Sequence, residues 1–288
     1  MRAALEMTVA AFGFATMSCI AHGLQDHISW PVIALARIGL TLLLVLAALI
    51  WYRIPVTLRG TKPLWWRSLC GSVGLLCTFY AVTRLPVTDA VTIFATGPVW
   101  ITLILVVVFR QRFPKRVWLY AFLALTGVYI MHRPAFDAGA LPIAVALLGA
   151  IAAAAAMVSL SFCRHLKNLM VVGHFSACAT VISIGACLLT DEPILLDSAV
   201  SPVIFLWLLP MGLAGTFAQI FMTAAYRRGT PTMIALVGIS QIAFAALYDL
   251  ALWGYRFDLW KWAGIAMIAA AISLSILTTT EKKGESSI

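Results

Sequence analysis

Long apolar runs, separated by short polar or basic breaks, recur along the whole chain. Residues 79–113 show the pattern best: a polar approach, an apolar run, and a basic stop at Arg110 and Arg112. A helix rises 1.5 Å per residue, so about 20 apolar residues cross a hydrocarbon core ~30 Å thick. On this reading the chain predicts ten spans, at about 3–22, 32–52, 66–83, 88–109, 117–132, 141–163, 170–189, 203–225, 232–252 and 259–278. The polar residues 279–288 are expected to form a loose tail.

The fourth run is not a plain lipid anchor. Its first half carries Thr88, Asp89, Thr92 and Thr96, and Gly97-Pro98 lies near its middle. Backbone groups released by a mid-membrane proline need partners inside the protein, so this span is expected to sit in a bundle with a polar face inward. The pattern also repeats. A shift of 144 residues carries Gly71 onto Gly215, Arg84 onto Arg228, Arg112-Phe113 onto Arg256-Phe257 and Trp118 onto Trp262. Few positions are identical; the order of apolar run, Arg-Phe stop and next apolar run carries the argument. The expected units are residues 1–136 and 137–280, each of five helices, followed by a polar cytoplasmic tail at 281–288.

Composition agrees. Of 288 residues, 62% are hydrophobic and 11% charged, with mean hydropathy +0.99, more apolar surface than a soluble domain can hide. The net charge of +9 does not point to nucleic acid, because the positive residues lie in short loops between apolar runs. Arg53, Arg59, Lys62 and Arg67 fall between spans 2 and 3, and Arg110, Arg112, Lys115 and Arg116 between spans 4 and 5. Arg164 and Lys167, Arg227 and Arg228, and Lys282 and Lys283 follow spans 6, 8 and 10. The alternate connections hold acidic residues instead, including Asp26, Asp137, Asp191 and Asp258. The positive-inside rule then puts both termini in the cytoplasm of a multi-pass cell-membrane protein, the inner membrane in a bacterium. An odd number of spans per unit makes the two units point oppositely, with Arg84 outside and Arg228 inside. Glu6 within the first run, and no clean cleavage site, argue for a retained first helix over a signal peptide. Tryptophans near span ends, from Trp30 and Trp51 to Trp260 and Trp262, read as an aromatic belt. Gly71, Gly74, Gly212, Gly215 and the alanine-rich run 149–156 read as tight helix crossings.

The words Tyr80-Ala81, Leu85-Pro86, Asp89-Ala90 and Pro98, then Gly127-Val128 before Arg133-Pro134, resemble the EamA-type repeat of the drug/metabolite transporter superfamily. The second half is similar to it in residues 215–219 and 224–227, and Ala36-Arg37 resembles the family's arginine-bearing second helix. The wording of 79–98 is most similar to the branch with S-adenosylmethionine and riboflavin carriers and related animal solute carriers. Gln111 and Tyr255 stand where the family usually has glutamate, and Ile242 stands opposite Pro98, so no role of those acids carries over. The resemblance implies ten transmembrane helices in two inverted five-helix repeats. Spans 1, 3, 4, 6, 8 and 9 would line a central cavity that moves solutes by alternating access.

Ionisable groups inside a membrane cost ~2.5–3.5 kcal/mol each on insertion scales, so each is a functional candidate. Glu6 is either a group at a cavity mouth that binds a proton or cation, or an interfacial carboxylate. Arg37 is expected to pair with Asp89 or Asp249, as a structural ion pair or as an outer gate that opens when the pair breaks. Asp249, in apolar surroundings, is the first candidate for proton coupling. His22 and His174 lie at span ends, where interfacial placement is expected. For solute contact the residues are Tyr80, Thr92, Thr96, Trp100, Gln219 and Gln241. Thr92, Thr96 and Trp100 share a helix face at i, i+4 and i+8, two hydroxyls and an indole suited to an aromatic or heterocyclic solute, or to helix-to-helix hydrogen bonds.

No phosphate-binding loop, metal cluster or nucleophile–base spacing is present, which excludes a self-contained ATP-driven pump and argues against an enzyme or a cofactor site. Six cysteines without CxxC spacing are expected as buried free thiols. The leading reading is a secondary transporter of a small organic metabolite, such as an amino acid, a nucleoside-like or a heterocyclic solute. A non-transporting receptor or structural subunit, and a channel-like facilitator, are the alternatives. Expected partners are a small-molecule solute and the lipid bilayer, with no nucleic acid. A proton or other coupling ion, and a monomer against a homodimer, stay open.

Overall fold

The computed structural model describes residues 1–24, 27–54, 61–85, 87–132, 139–189, 206–252 and 258–285. The side chains of 82–83, 87–88, 132, 249 and 278–285 lie outside that description. All elements among the described residues are helices. They are α1 (Arg2–Leu24), α2 (Trp30–Trp51), α3 (Lys62–Arg84), α4 (Val87–Ala95), α5 (Gly97–Val107) and α6 (Lys115–His132). There follow α7 (Ala140–Leu160), α8 (Asn168–Leu189), α9 (Leu208–Arg228), α10 (Pro231–Gly238), α11 (Ser240–Leu252) and α12 (Leu259–Glu285).

Eight stretches are long and apolar enough to cross a membrane by length and composition. They are α1, α2, α4 with α5, α7, α8, α9, α10 with α11, and α12. The other two helices have a reason to be less apolar: α3 contains Arg67 and Arg84, and α6 starts on Lys115-Arg116. Helix α12 runs on to Glu285, into the stretch expected as a loose tail.

The apolar pattern turns outward as well as inward, as lipid contact requires. Phe12, Leu43, Ile50, Phe122, Val181 and Leu188 are exposed on helix faces. Trp51, Trp66, Trp260 and Trp262 are exposed near helix ends, as a belt would be. Trp30 leaves that group. It is buried at the start of α2, edge-on to Tyr80 with ring centroids 6.1 Å apart.

Helices pack mainly as α1 on α9, α3 on α7, α2 on α8 and α6 on α12. Small residues make these crossings. A Cβ on Gly74 would meet Ala153 backbone atoms at 3.1 and 3.3 Å, and one on Gly127 would meet the Gly264 carbonyl oxygen at 2.8 Å. Backbones that close gain dispersion contacts that larger side chains would prevent. None of the six cysteines is in a disulfide; Cys163 is buried and the other five are partly so.

Candidate functional site

Two of the membrane-crossing stretches are broken. Between α4 and α5, Pro98 has no N–H to offer the carbonyl a turn earlier, and the helix stops at Thr96. Thr96 repairs part of the damage. Its backbone N–H donates to Ile93 O at 3.1 Å, and its hydroxyl donates to the same oxygen at 2.5 Å. The indole Nε1–H of Trp100 donates to Thr96 Oγ1 at 2.9 Å. Two of the three residues placed on one face are therefore joined to each other, within the chain segment and not across helices. Trp100 also packs against the core that holds Phe14, Ala218 and Met222, while α5 itself lies mainly on α7 and α10. Thr92 is half-buried one turn earlier.

The second break falls at Ile239, between α10 and α11, without a proline. There the Ile239 N–H donates to Leu236 O at 3.1 Å, and the Ile242 N–H to Ile239 O at 2.9 Å. Gln241 is half-buried in the first turn of α11. Tyr248 ties α11 to α1 through a 2.7 Å hydrogen bond between its hydroxyl and that of Thr16.

A buried polar seam runs between α2 and α9. The Arg37 guanidinium donates from Nη2 to Gln219 Oε1 at 3.4 Å and from Nε to Met17 Sδ at 3.3 Å, with Phe14 beneath it. Thr41 and Thr216 share a hydrogen bond of 2.8 Å. On α9 the positions Gly212, Thr216, Gln219, Thr223 and Tyr226 alternate in steps of four and three, so they form one buried stripe. Among the described residues Arg37 meets Gln219 and Met17, and the expected pairing with Asp89 is not seen. The reason is placement. Helix α2 packs on α8, α9 and α3, whereas Asp89 lies in α4, which packs on α7 and α6. Asp89 is fully buried there. The Asp249 side chain lies outside the described residues.

Two buried groups had been assigned to loops or span ends. Arg67 was expected in a basic connection, but α3 begins at Lys62 and carries Arg67 inside, 1% exposed. Its Nε and Nη1 have no hydrogen-bond partner, and its guanidinium stands over the Phe175 ring at 4.1 Å. A desolvated cation–π contact contributes about 2 kcal/mol. The effective cost of burying an ion is several kcal/mol. Phe175 alone therefore does not compensate Arg67. His174 is also buried, not interfacial: its Nδ1 is 2.7 Å from Ser68 Oγ, and its ring meets Trp65 edge-on at 4.7 Å. The signal that would have placed Arg67 is Thr61-Lys62-Pro63, an N-cap residue with proline at the helix start.

Glu6 links the start of α1 to the end of α9. It is buried, accepts from Arg2 Nε at 3.3 Å, and is paired with Arg228 at the end of α9. Beside it Arg227 donates to the carbonyls of Cys163 at 3.1 Å, Arg164 at 2.8 Å and Leu166, which staples the α7–α8 loop to α9. Tyr80 sits toward the other end of α3, with Trp30 at its edge and Arg84 over its ring at 5.9 Å. Among the described residues no group of three or more metal-ligating side chains occurs.

The model of the EamA-like transporter family matches residues 1–133 and 140–277. The pseudopaline exporter CntI of Pseudomonas aeruginosa is 25% identical over 278 residues, covering 94% of this chain and 95% of that protein. An uncharacterized transporter of Helicobacter pylori is 24% identical over 231 residues, 78% of this chain and 77% of the other. A probable transport protein of Saccharomyces cerevisiae is 22% identical over 279 residues, 86% of this chain and 78% of the other. One solved crystal structure shares the fold, with a TM-score of 0.80 at 17% identity over 96% of this chain and 97% of that one.

Proposed function

The chain belongs to the EamA-like transporter family, and from that premise we propose that it is a secondary carrier moving a small organic metabolite by alternating access. Its helices make it a multi-pass membrane protein, and its relatives are named as transporters and an exporter, not as enzymes. The observation that carries the finer reading is the pair of broken helices, α4–α5 and α10–α11, set against α1 and α7 beside a buried polar seam. Broken helices expose backbone groups at membrane depth, where carriers bind solutes.

We read α3 and α6 as spans too, which makes ten in two inverted units, 1–136 and 137–280. The contact pattern supports this. Exchanging the units turns α1 on α9 into α7 on α3, and α1 on α10 and α11 into α7 on α5 and α4, while α2 on α8 and α6 on α12 map onto themselves. Arg2, Arg164, Arg227 and Arg228 gather at one end, which we assign to the cytoplasm with both termini.

In this reading Thr92, Thr96, Trp100, Gln219, Gln241 and Tyr80 are the solute-facing groups. Thr96 and Trp100 would exchange their mutual bond for solute contacts. Glu6 with Arg228 closes the cytoplasmic end, Arg37 holds the seam, and Asp89 and Asp249 are the carboxyls proposed for gating or for a coupling proton. The relative named as an exporter favours outward movement. A thermal-shift screen of purified protein against amino acids, nucleosides, riboflavin, S-adenosylmethionine and polyamines would identify a solute by its stabilisation. Saturable, competable flux of that solute in liposomes is then expected. Flux without saturation would favour a channel, and binding without flux a receptor.

A further inference from the structure

We propose that Arg67 is an anion-binding residue of the transport path, and that the solute it takes is an organic acid with an apolar or aromatic body. The proposal rests on the carrier reading above and adds the charge of the cargo. Arg67 is buried where α3 meets α8, and among the described residues two of its guanidinium nitrogens have no hydrogen-bond partner. Arginine does not shed its proton to escape burial, so an unmet guanidinium in such a place keeps its charge and its donors. A carboxylate would accept from either of these N–H groups in a charge-assisted hydrogen bond, stronger than one to a neutral acceptor.

The surroundings select for the rest of the ligand. Phe175 lies against the guanidinium and the buried Tyr226 is within electrostatic reach, so an aromatic or apolar body would pack beside the carboxylate. Arg37 also acts electrostatically on Arg67, and it too lacks a carboxylate partner among the described residues. These two buried positive charges, Arg37 on α2 and Arg67 on α3, disfavour each other, and an anion would relieve both. Gly71 lets the guanidinium lie there: a Cβ would run into both the Arg67 guanidinium and the Phe175 ring. A structural arginine would instead be tied to carbonyls, as Arg227 is at the same end.

The test uses the full chain in nanodiscs, with benzoate, indole-3-acetate and succinate as probes and the neutral amide of each as control. At least one acid is expected to raise the thermal midpoint in a saturable way while its amide does not. Arg67→Met should weaken that acid's binding by roughly tenfold to a hundredfold, and Arg67→Lys by less. Without ligand, Arg67→Met is expected to unfold at the same or a higher temperature, because it removes an uncompensated buried charge. The proposal is overturned if no acid outperforms its amide, if Arg67→Met binds the acid as tightly, or if Arg67→Met lowers the ligand-free midpoint. None of those results touches the carrier reading, which falls only if liposome flux of every solute fails to saturate or to occur.

Discussion

Arg37 on α2 donates to Oε1 of Gln219 on α9, so a buried cation is met by a neutral amide where a carboxylate would bind it more firmly. A contact of 3.4 Å between a charge and an amide is weak enough to break and re-form. Gln219→Glu is expected to turn the seam into an ion pair, raise the thermal midpoint and slow flux. Gln219→Leu leaves the guanidinium with Met17 alone and should cost about 1–3 kcal/mol. Thermal unfolding in detergent, paired with liposome flux of the identified solute, checks both. A Glu variant that moves solute at the parental rate would remove Arg37 and Gln219 from the moving parts.

The pairing of Glu6 with Arg2 and Arg228 predicts a different behaviour. Arg228 is half exposed, so solvent screens its share of the attraction. Glu6→Gln should cost no more than ~1 kcal/mol in stability yet favour opening at that end of the bundle. The swap Glu6→Arg with Arg228→Glu is expected to recover part of the function lost in either single change. Cysteine accessibility of residues lining that end is the readout, and equal accessibility in parent and Glu6→Gln would refute the closure.

Pro98→Ala restores an N–H donor in the gap between α4 and α5. The helix should straighten, the protein should become more stable, and transport should fall, since the Thr96 and Trp100 arrangement depends on the break. Thr96→Val removes the acceptor of the Trp100 indole and should cost about 1 kcal/mol. Tryptophan fluorescence and unfolding midpoints distinguish the two, because only the second frees the indole while the break remains.

Opposed insertion of the two units predicts that single cysteines at Arg84 and Arg228 react with impermeant reagents from opposite sides of the membrane. Labelling of both from one side, in sealed vesicles of known orientation, would refute it.

The membrane-spanning runs were readable because hydrocarbon thickness imposes one length on every apolar segment. Helix ends within a few residues of those expected, such as α6 at Lys115–His132, follow from the basic stops. The break at Thr96 was announced by Gly97-Pro98, whereas the break at Ile239 was not, because no local residue dictates it and packing against α1 and α5 does. The order of helices decides for Asp89 in the same way: charge says that Arg37 needs a partner, and only the packing says that Asp89 on α4 is out of its reach. Arg67 was lost by a smaller error. Starting α3 four residues late left Arg67 at the edge of the expected span and counted with the basic connection, though Thr61 and Pro63 marked the true start.

Helix α3 has one more implication, for biogenesis. It carries Arg67 and Arg84, does not reach the apolarity of the other spans, and packs on α7 and α8, which are synthesised later. Lipid alone is a poor solvent for it. On the proposed ten-span reading, the insertion machinery would have to retain α3, or leave it at the surface, until the ribosome has delivered α7 and α8, so that the first half of the chain would not mature by itself.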